Sequence, residues 1–312
     1  MRYPFVSIIV PMFNAEETIE QCVTSLISLD YPSNNYEIII VNHNSTDKST
    51  SILKKYPVRV VNKVGGTIAS VRNYGTTFAH GEIYAFVDSD CLVYVDWLKR
   101  AVEQLLTDKR IGATGCGYVA PKNSSWVENA WLYESEHPSF ETDFIPSGNF
   151  FIMATVFKQV EGFNEDLTTC EDAAICQRVV AYKYKVVNNS SIKSIHLRNP
   201  KTFNQFFLKE LWYGRNMADT DSKFYLDKVL LATIIYIIAH AFVPIGSIIY
   251  IICDSFLVLL SAFFLIVLIC ACSTLYRIKR SKKYKYFIHT FFLYYIYFAS
   301  RSISLFKTNA DA

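Results

Sequence analysis

Apolar positions follow two regimes along this chain. Through its first two thirds, short β-branched runs at residues 6–10, 37–41, 58–62 and 83–87 alternate with stretches of helical spacing. Residues 17–29 place Ile19, Val23, Leu26 and Ile27 on one helical face, and 51–55 and 68–78 read as further helices. Near-continuous apolar strands separated by helices predict an α/β fold with a mostly parallel sheet covered on both faces. Ligands of such sheets collect at the carboxyl ends of the strands. Four of those ends are polar here: Pro11-Met12-Phe13-Asn14, the run NHNSTD at 42–47, the loop 62–66, and Asp88-Ser89-Asp90. They are predicted to converge on one site.

The second regime begins near residue 229. From there to residue 276 the only charged side chain is Asp254. As helices, 229–253 and 255–275 would span roughly 37 and 31 Å, each enough to cross a bilayer. Pro244 and Gly246 are tolerated inside such a span, with a kink expected at the proline. A third aromatic-rich segment, 286–306, carries His289 and Arg301, and either spans the membrane or lies in its interface. The basic loop RIKRSKKYK at 277–285 places itself and everything before residue 229 on the cytoplasmic side.

Composition sharpens this picture. The 312 residues are 51% hydrophobic and only 19% charged, which excludes a disordered chain. The net charge of +3 divides into +6 from residue 229 onward and −3 before it. A mildly acidic body with a basic apolar tail points to membrane lipids as a partner, and away from nucleic acid. Eight cysteines without C-x-x-C spacing predict buried or lipid-facing free thiols. The first apolar run, ended by Pro11, is too short for a secretory signal. The sequence therefore predicts an integral membrane protein whose large N-terminal domain stays in the cytoplasm.

Chemistry concentrates at Asp88-Ser89-Asp90. A strand delivering carboxylates at i and i+2 aims both to one side, and hard oxygen donors suit Mg²⁺ or Mn²⁺ holding a diphosphate. A turn rich in Asp and Ser is the plainer reading of that tripeptide alone. No G-x-G-x-x-G or Walker A string is present, which disfavours the dinucleotide and P-loop classes.

The strings VSIIVPMFNAEETI, EIIIVNHNSTDKS, SVRNYGTTFAHGEIYAFVDSDC, SGNFFIMATVFKQVEGFNEDL and TTCEDAAICQRV occur in that order. Together, over about residues 5–215, they closely resemble glycosyltransferase family 2, inverting enzymes of the GT-A fold. The resemblance implies a catalytic domain over 1–228, with a nucleotide-binding half at about 1–116 and an acceptor half at 117–228, ahead of a membrane region at 229–306. It implies that Pro11, Phe13 and Glu16 line the base and ribose pocket, that Ser89 lies in the same pocket, and that Arg72 contacts the nucleotide. Asp88 then meets ribose or metal, Asp90 ligates a divalent Mn²⁺ or Mg²⁺, and His196 joins the metal site. One departure is Asn42, where the family usually carries an Asp that contacts the base. An amide still offers a donor and an acceptor to a pyrimidine.

Glu171-Asp172 matches the family's E-D pair at a helix start. The resemblance favours Asp172 as the base that takes the acceptor's proton, with Glu171 in support. A carboxylate at a helix N-terminus is expected to stay ionised. The Q-x-x-R-W string of processive synthases is absent, so a single-addition enzyme is favoured over a polysaccharide synthase. The reading is a transferase that moves one sugar from a nucleotide-diphosphate sugar to a lipid-linked or glycan acceptor. Asn42 alone favours the alternative of a catalytically weak homologue that serves as a binding subunit. Trp212 to Arg215 are expected on an acceptor or membrane-proximal surface.

Overall fold

A computed structural model describes residues 3–132, 139–214 and 223–306. Arg215 lies outside them, as do residues 133–138 of the expected acceptor half. The chain forms two compact units, one of residues 1–122 with 133–199, the other of 123–132 with 200–312. The composition shift near 229 thus falls inside the second unit, which also takes in a short earlier segment.

The first unit opens with β1 (Val6–Met12), α1 (Ile19–Ile27), β2 (Tyr36–Asn42), α2 (Ser49–Leu53), β3 (Arg59–Asn62), α3 (Ile68–Thr76) and β4 (Ile83–Val87). This is the strand–helix alternation that the apolar pattern predicts. β1 pairs in parallel with both β2 and β4, and β2 with β3. After β4 come β5 (Cys91–Val93), α4 (Trp97–Thr107), β6 (Ile111–Gly115) and β7 (Tyr118–Val119). The segment α5 (Trp126–Trp131) belongs to the second unit. Next are β8 (Ser139–Glu141), β9 (Asn149–Met153), α6 (Ala154–Gln159), α7 (Glu171–Ala181), β10 (Lys185–Asn189) and β11 (Ser194–His196).

The main sheet has the order β3-β2-β1-β4-β9-β6-β10-β8. β9 runs antiparallel between β4 and β6, so the sheet is mixed beyond its parallel N-terminal half. Every residue of β1 and β4 is buried, as strands covered on both faces require. One core packs α1 and α4 on one face around Trp97, Leu26 and Phe151. The other packs α3, α6 and α7 around Phe86, Phe150 and Phe163. A second, three-stranded sheet, β5-β11-β7, follows directly from the Asp88–Asp90 turn. A turn at 190–193 separates β10 from β11.

The second unit holds α5, α8 (Phe203–Tyr213), α9 (Lys223–Cys253), α10 (Leu257–Ser281) and α11 (Phe287–Ser304). Lys228–Cys253 and Leu257–Ser281 are long and apolar enough to cross a membrane, and most of their surface is not buried by protein. α10 runs past the expected end at 275, through the basic residues to Ser281. Two of those basic residues serve a local purpose. Arg277 donates to the Trp131 carbonyl at 3.0 Å with its guanidinium 3.9 Å from the Trp131 ring, and Lys283 donates to the carbonyls of Asn129 and Leu132. Cations thereby complement the negative end of α5. In α11, Arg301 forms a largely buried ion pair with Glu210 of α8 at 2.7 Å, which accounts for a charge in so apolar a segment.

Candidate active site

The strand ends converge as expected. Pro11 is buried within β1 opposite Val41, while Phe13 just beyond it is 58% exposed, its ring 6.0 Å from that of His43. Asn14 takes a left-handed φ of 46°, and its amide oxygen accepts from the Thr46 backbone N–H. The Glu16 carboxylate accepts from the Lys48 N–H, and the Glu16 N–H donates to Asp47. The loops after β1 and β2 are thus laced together by side-chain to backbone bonds. Asn42 is occupied within the same lacing. Its Nδ2 donates to Asn62 Oδ1 at 2.9 Å and its Oδ1 accepts from the Ser45 N–H at 3.1 Å. The amide departure therefore joins β2 to β3 instead of leaving a void where a charge is usual.

β4 ends in the turn Asp88-Ser89-Asp90, closed by a Cys91 N–H to Asp88 carbonyl bond, with all three residues half-buried. The antiparallel register of β5 and β11 sets His196 opposite Cys91. His196 Nε2 consequently lies 3.4 Å from Asp90 Oδ2. One ligand atom from each of Asp88, Asp90, Cys91 and His196 falls within 4.8 Å of all the others. Burial, and next the two aspartates, push the Cys91 thiol well above its usual range, so Cys91 is a neutral neighbour. Two carboxylates and an imidazole remain, a donor set that fits Mn²⁺ or Mg²⁺.

Neither Tyr118 nor Gly148 was assigned a role from the sequence, yet both shape this cluster. The Tyr118 hydroxyl donates to Asp88 Oδ2 at 3.4 Å, and its ring packs 4.9 Å from that of His196. A Cβ added to Gly148 would overlap both the Asp88 carboxylate and the Tyr118 hydroxyl. The next residue, Asn149, is fully buried and ties Trp97 Nε1 to the Ile192 carbonyl. Gly148 and Asn149 fall in the string SGN at 147–149 that carries part of the resemblance, while Tyr118 lies outside all of those strings. Replacing Gly148 by Ala is expected to weaken metal-dependent nucleotide binding at least about tenfold by displacing Asp88. Calorimetric titration would read that loss, and the thermal unfolding midpoint should stay within a few degrees because the overlap falls on movable side-chain ends.

The carboxylate pair lies at the start of α7, after Cys170 turns the chain with a left-handed φ of 66°. Glu171 is buried and accepts from Ser147 Oγ at 3.1 Å and from Arg72 Nη1 at 2.8 Å. Arg72 Nη2 donates to Asp88 Oδ1 at 2.8 Å. The resemblance places Arg72 at the nucleotide, whereas both of its terminal nitrogens are turned to carboxylates here. Burial disfavours the charged guanidinium, but Asp88 and Glu171 outweigh that and hold its pKa above the usual value. Asp172 also departs from expectation. Burial, then the neighbouring Glu171, push its carboxyl well above the usual range, and the helix N-terminus does not offset them. A carboxyl tuned upward is a better proton acceptor near neutral pH than an ordinary one.

The sequence model described as glycosyl transferase family 2 matches residues 7–161, about half of the chain. The glycosyltransferase AglE of Haloferax volcanii is 24% identical over 248 residues, which are 74% of this chain and 78% of that protein. Among solved structures, the mannosyltransferase PcManGT of Pyrobaculum calidifontis, in complex with GDP-Man and Mn²⁺, superimposes with a TM-score of 0.65 at 17% identity. The match covers 100% of this chain and 88% of that one. TarS of Staphylococcus aureus in complex with UDP-GlcNAc gives 0.52 at 16% identity, covering 96% and 90%. With this GT-A sheet and the acidic cluster at its carboxyl edge, the chain belongs to glycosyltransferase family 2 and is an enzyme that transfers sugar from a nucleotide-sugar.

Proposed function

We propose that this transferase is membrane-anchored and inverting, and that it moves one sugar from a nucleotide-diphosphate sugar to a lipid-linked or glycan acceptor on the cytoplasmic side. The observation that carries this reading is the link, through Arg72, between the Asp88–Asp90–His196 cluster and the Glu171-Asp172 pair at one sheet edge.

The donor's base and ribose would lie at the exposed Phe13 ring, with Pro11, Glu16, Asn42 and Ser89 as the further residues of that side. GDP-Man and UDP-GlcNAc in the structural relatives support a nucleoside-diphosphate donor. Asp90, Asp88 and His196 would hold Mn²⁺ or Mg²⁺, which when bound offsets the charge of the departing diphosphate. Asp172 takes the proton from the acceptor hydroxyl as its oxygen attacks the anomeric carbon on the face opposite the diphosphate. The carbon–oxygen bond to the diphosphate breaks, leaving an inverted glycoside and a nucleoside diphosphate. Catalytic residues within 1–228 are followed by the candidate spans α9 and α10, which support an anchor and hence an acceptor presented at the membrane. Tethering raises the local concentration of such substrates.

The test uses the full chain in lipid nanodiscs with Mn²⁺, a panel of nucleotide-sugars and a polyprenyl-phosphate acceptor. Metal-dependent release of nucleoside diphosphate with a product one sugar longer is the expected result. A ladder of products would replace this reading with processive synthesis. Nucleotide binding without any release would replace it with a binding subunit.

A further inference from the structure

We infer that Arg72 acts as a positioning residue, which holds the metal-side carboxylate Asp88 and the base-bearing end of α7 in fixed relation. The inference rests on the proposed roles of Asp88 and Asp172. Arg72 projects from α3 and is only 3% exposed. Its two terminal nitrogens each meet a different carboxylate at the same 2.8 Å, Asp88 from the end of β4 and Glu171 from the start of α7. These partners lie 16 and 99 residues away in sequence. The Phe163 ring packs 5.7 Å from the guanidinium, which limits its movement.

A planar fork bound at both tips sets two distances and one angle at once, which a flexible ammonium cannot do. The second oxygen of Asp88 is held by Tyr118, and Ser147 donates to the same Glu171 Oε1 that accepts from Arg72. The result is a chain of bonds Tyr118–Asp88–Arg72–Glu171–Ser147, with Asp172 directly after Glu171 in sequence. Glu171 is buried, so loss of its bond to Arg72 would leave a buried charge without its counter-charge. Asp172 faces Glu171 on its own helix, Arg72 from α3, the Ser147 backbone, and the buried Cys176 thiol one turn on. Arg72 is the one cation in that set, so it also limits how far the Asp172 carboxyl is raised.

Arg72→Lys and Arg72→Gln in the full chain separate geometry from charge. Arg72→Lys keeps the charge without the fork, and is expected to lower kcat about 100-fold, the scale of a sub-ångström to 1 Å misplacement. The KM for donor should change less than about threefold, and the acid limb of the kcat–pH profile should stay in place. Arg72→Gln should lower kcat at least as far and shift that limb to higher pH. A donor KM raised at least about tenfold with kcat preserved would mean that Arg72 binds the nucleotide, and would overturn the inference. Wild-type kcat in Arg72→Lys would overturn it too, since a point charge would then suffice. If Arg72→Gln fails to fold, the kcat and KM of Arg72→Lys decide alone. Loss of the base assignment would register separately, as an active Asp172→Asn enzyme.

Discussion

Asp172→Asn is expected to lower kcat by a factor of about 100 or more, the usual contribution of a positioned proton acceptor. The amide keeps the size and reach of the carboxylate but cannot take a proton, so the geometry stays while the chemistry is lost. Affinity for nucleoside diphosphate should be unchanged, because the proposed mechanism gives Asp172 to the acceptor hydroxyl, and Asp172 is linked to Asp88 only through Glu171 and Arg72. The pH dependence gives a second reading. Burial and Glu171 raise the Asp172 carboxyl, so the acid limb of kcat should lie well above the ordinary carboxylate pKa of about 4. That limb should vanish in Asp172→Asn. The sign for stability is opposite to that of a salt-bridged acid. The folded chain retains this proton at pH values where the unfolded chain has released it, so stability is lost as pH rises through the window between the two pKa values. Asp172→Asn should therefore raise the thermal midpoint more at neutral than at acid pH. Glu171→Gln should slow transfer less and cost more stability, since it strips a buried counter-charge from Arg72. Single-turnover transfer with both variants checks the assignment. Retained transfer in Asp172→Asn with loss in Glu171→Gln would reverse the two roles.

Asp90→Asn should abolish metal-dependent donor binding while leaving the fold intact. Asp90 sits in a turn at the sheet edge, not in either core, so its replacement forfeits little burial. A divalent cation that loses one charged oxygen from two carboxylates and an imidazole loses much of its binding energy. Residues that merely support metal ligands cost about 10- to 100-fold in affinity, so a ligand should cost at least about 100-fold. Titration calorimetry of nucleoside diphosphate with Mn²⁺, and again with chelator, measures this. Residual binding in chelator should match between Asp90→Asn and the unaltered chain, because Phe13 and its surroundings are untouched. Mn²⁺-dependent affinity equal to that of the unaltered chain would remove Asp90 from the metal site.

Much of the donor side was legible in the sequence because its determinants are local. The apolar runs at 6–10, 37–41 and 83–87 became buried parallel strands, since a strand covered on both faces needs no polar alternation. Once those strands were fixed, their chain-ward polar ends had to gather at one edge, and Asp88-Ser89-Asp90 and Asn42 fell into place. Glu171-Asp172 was placed at a helix start by the resemblance, and it does open α7, where acids complement the exposed N–H groups.

What only the tertiary structure decided involves partners far apart in the chain. The resemblance had put His196 at the metal site, but the contact with Asp90 depends on the β5–β11 register, which pairs residues about a hundred positions apart and has no local signal. The same holds for Gly148 and Tyr118, whose value lies in the space around Asp88 and not in their own neighbourhoods. Residues 123–132 group with the C-terminal helices because Trp131 and the end of α5 are satisfied there by Arg277 and Lys283, a hundred and fifty residues on. Arg72 shows the division most plainly. Its helix was readable from local pattern, but which of several acids its fork would bridge was not. That choice, and the upward shift of Asp172 beside it, follow from burial and from charges brought together in space, which periodicity along the chain does not encode.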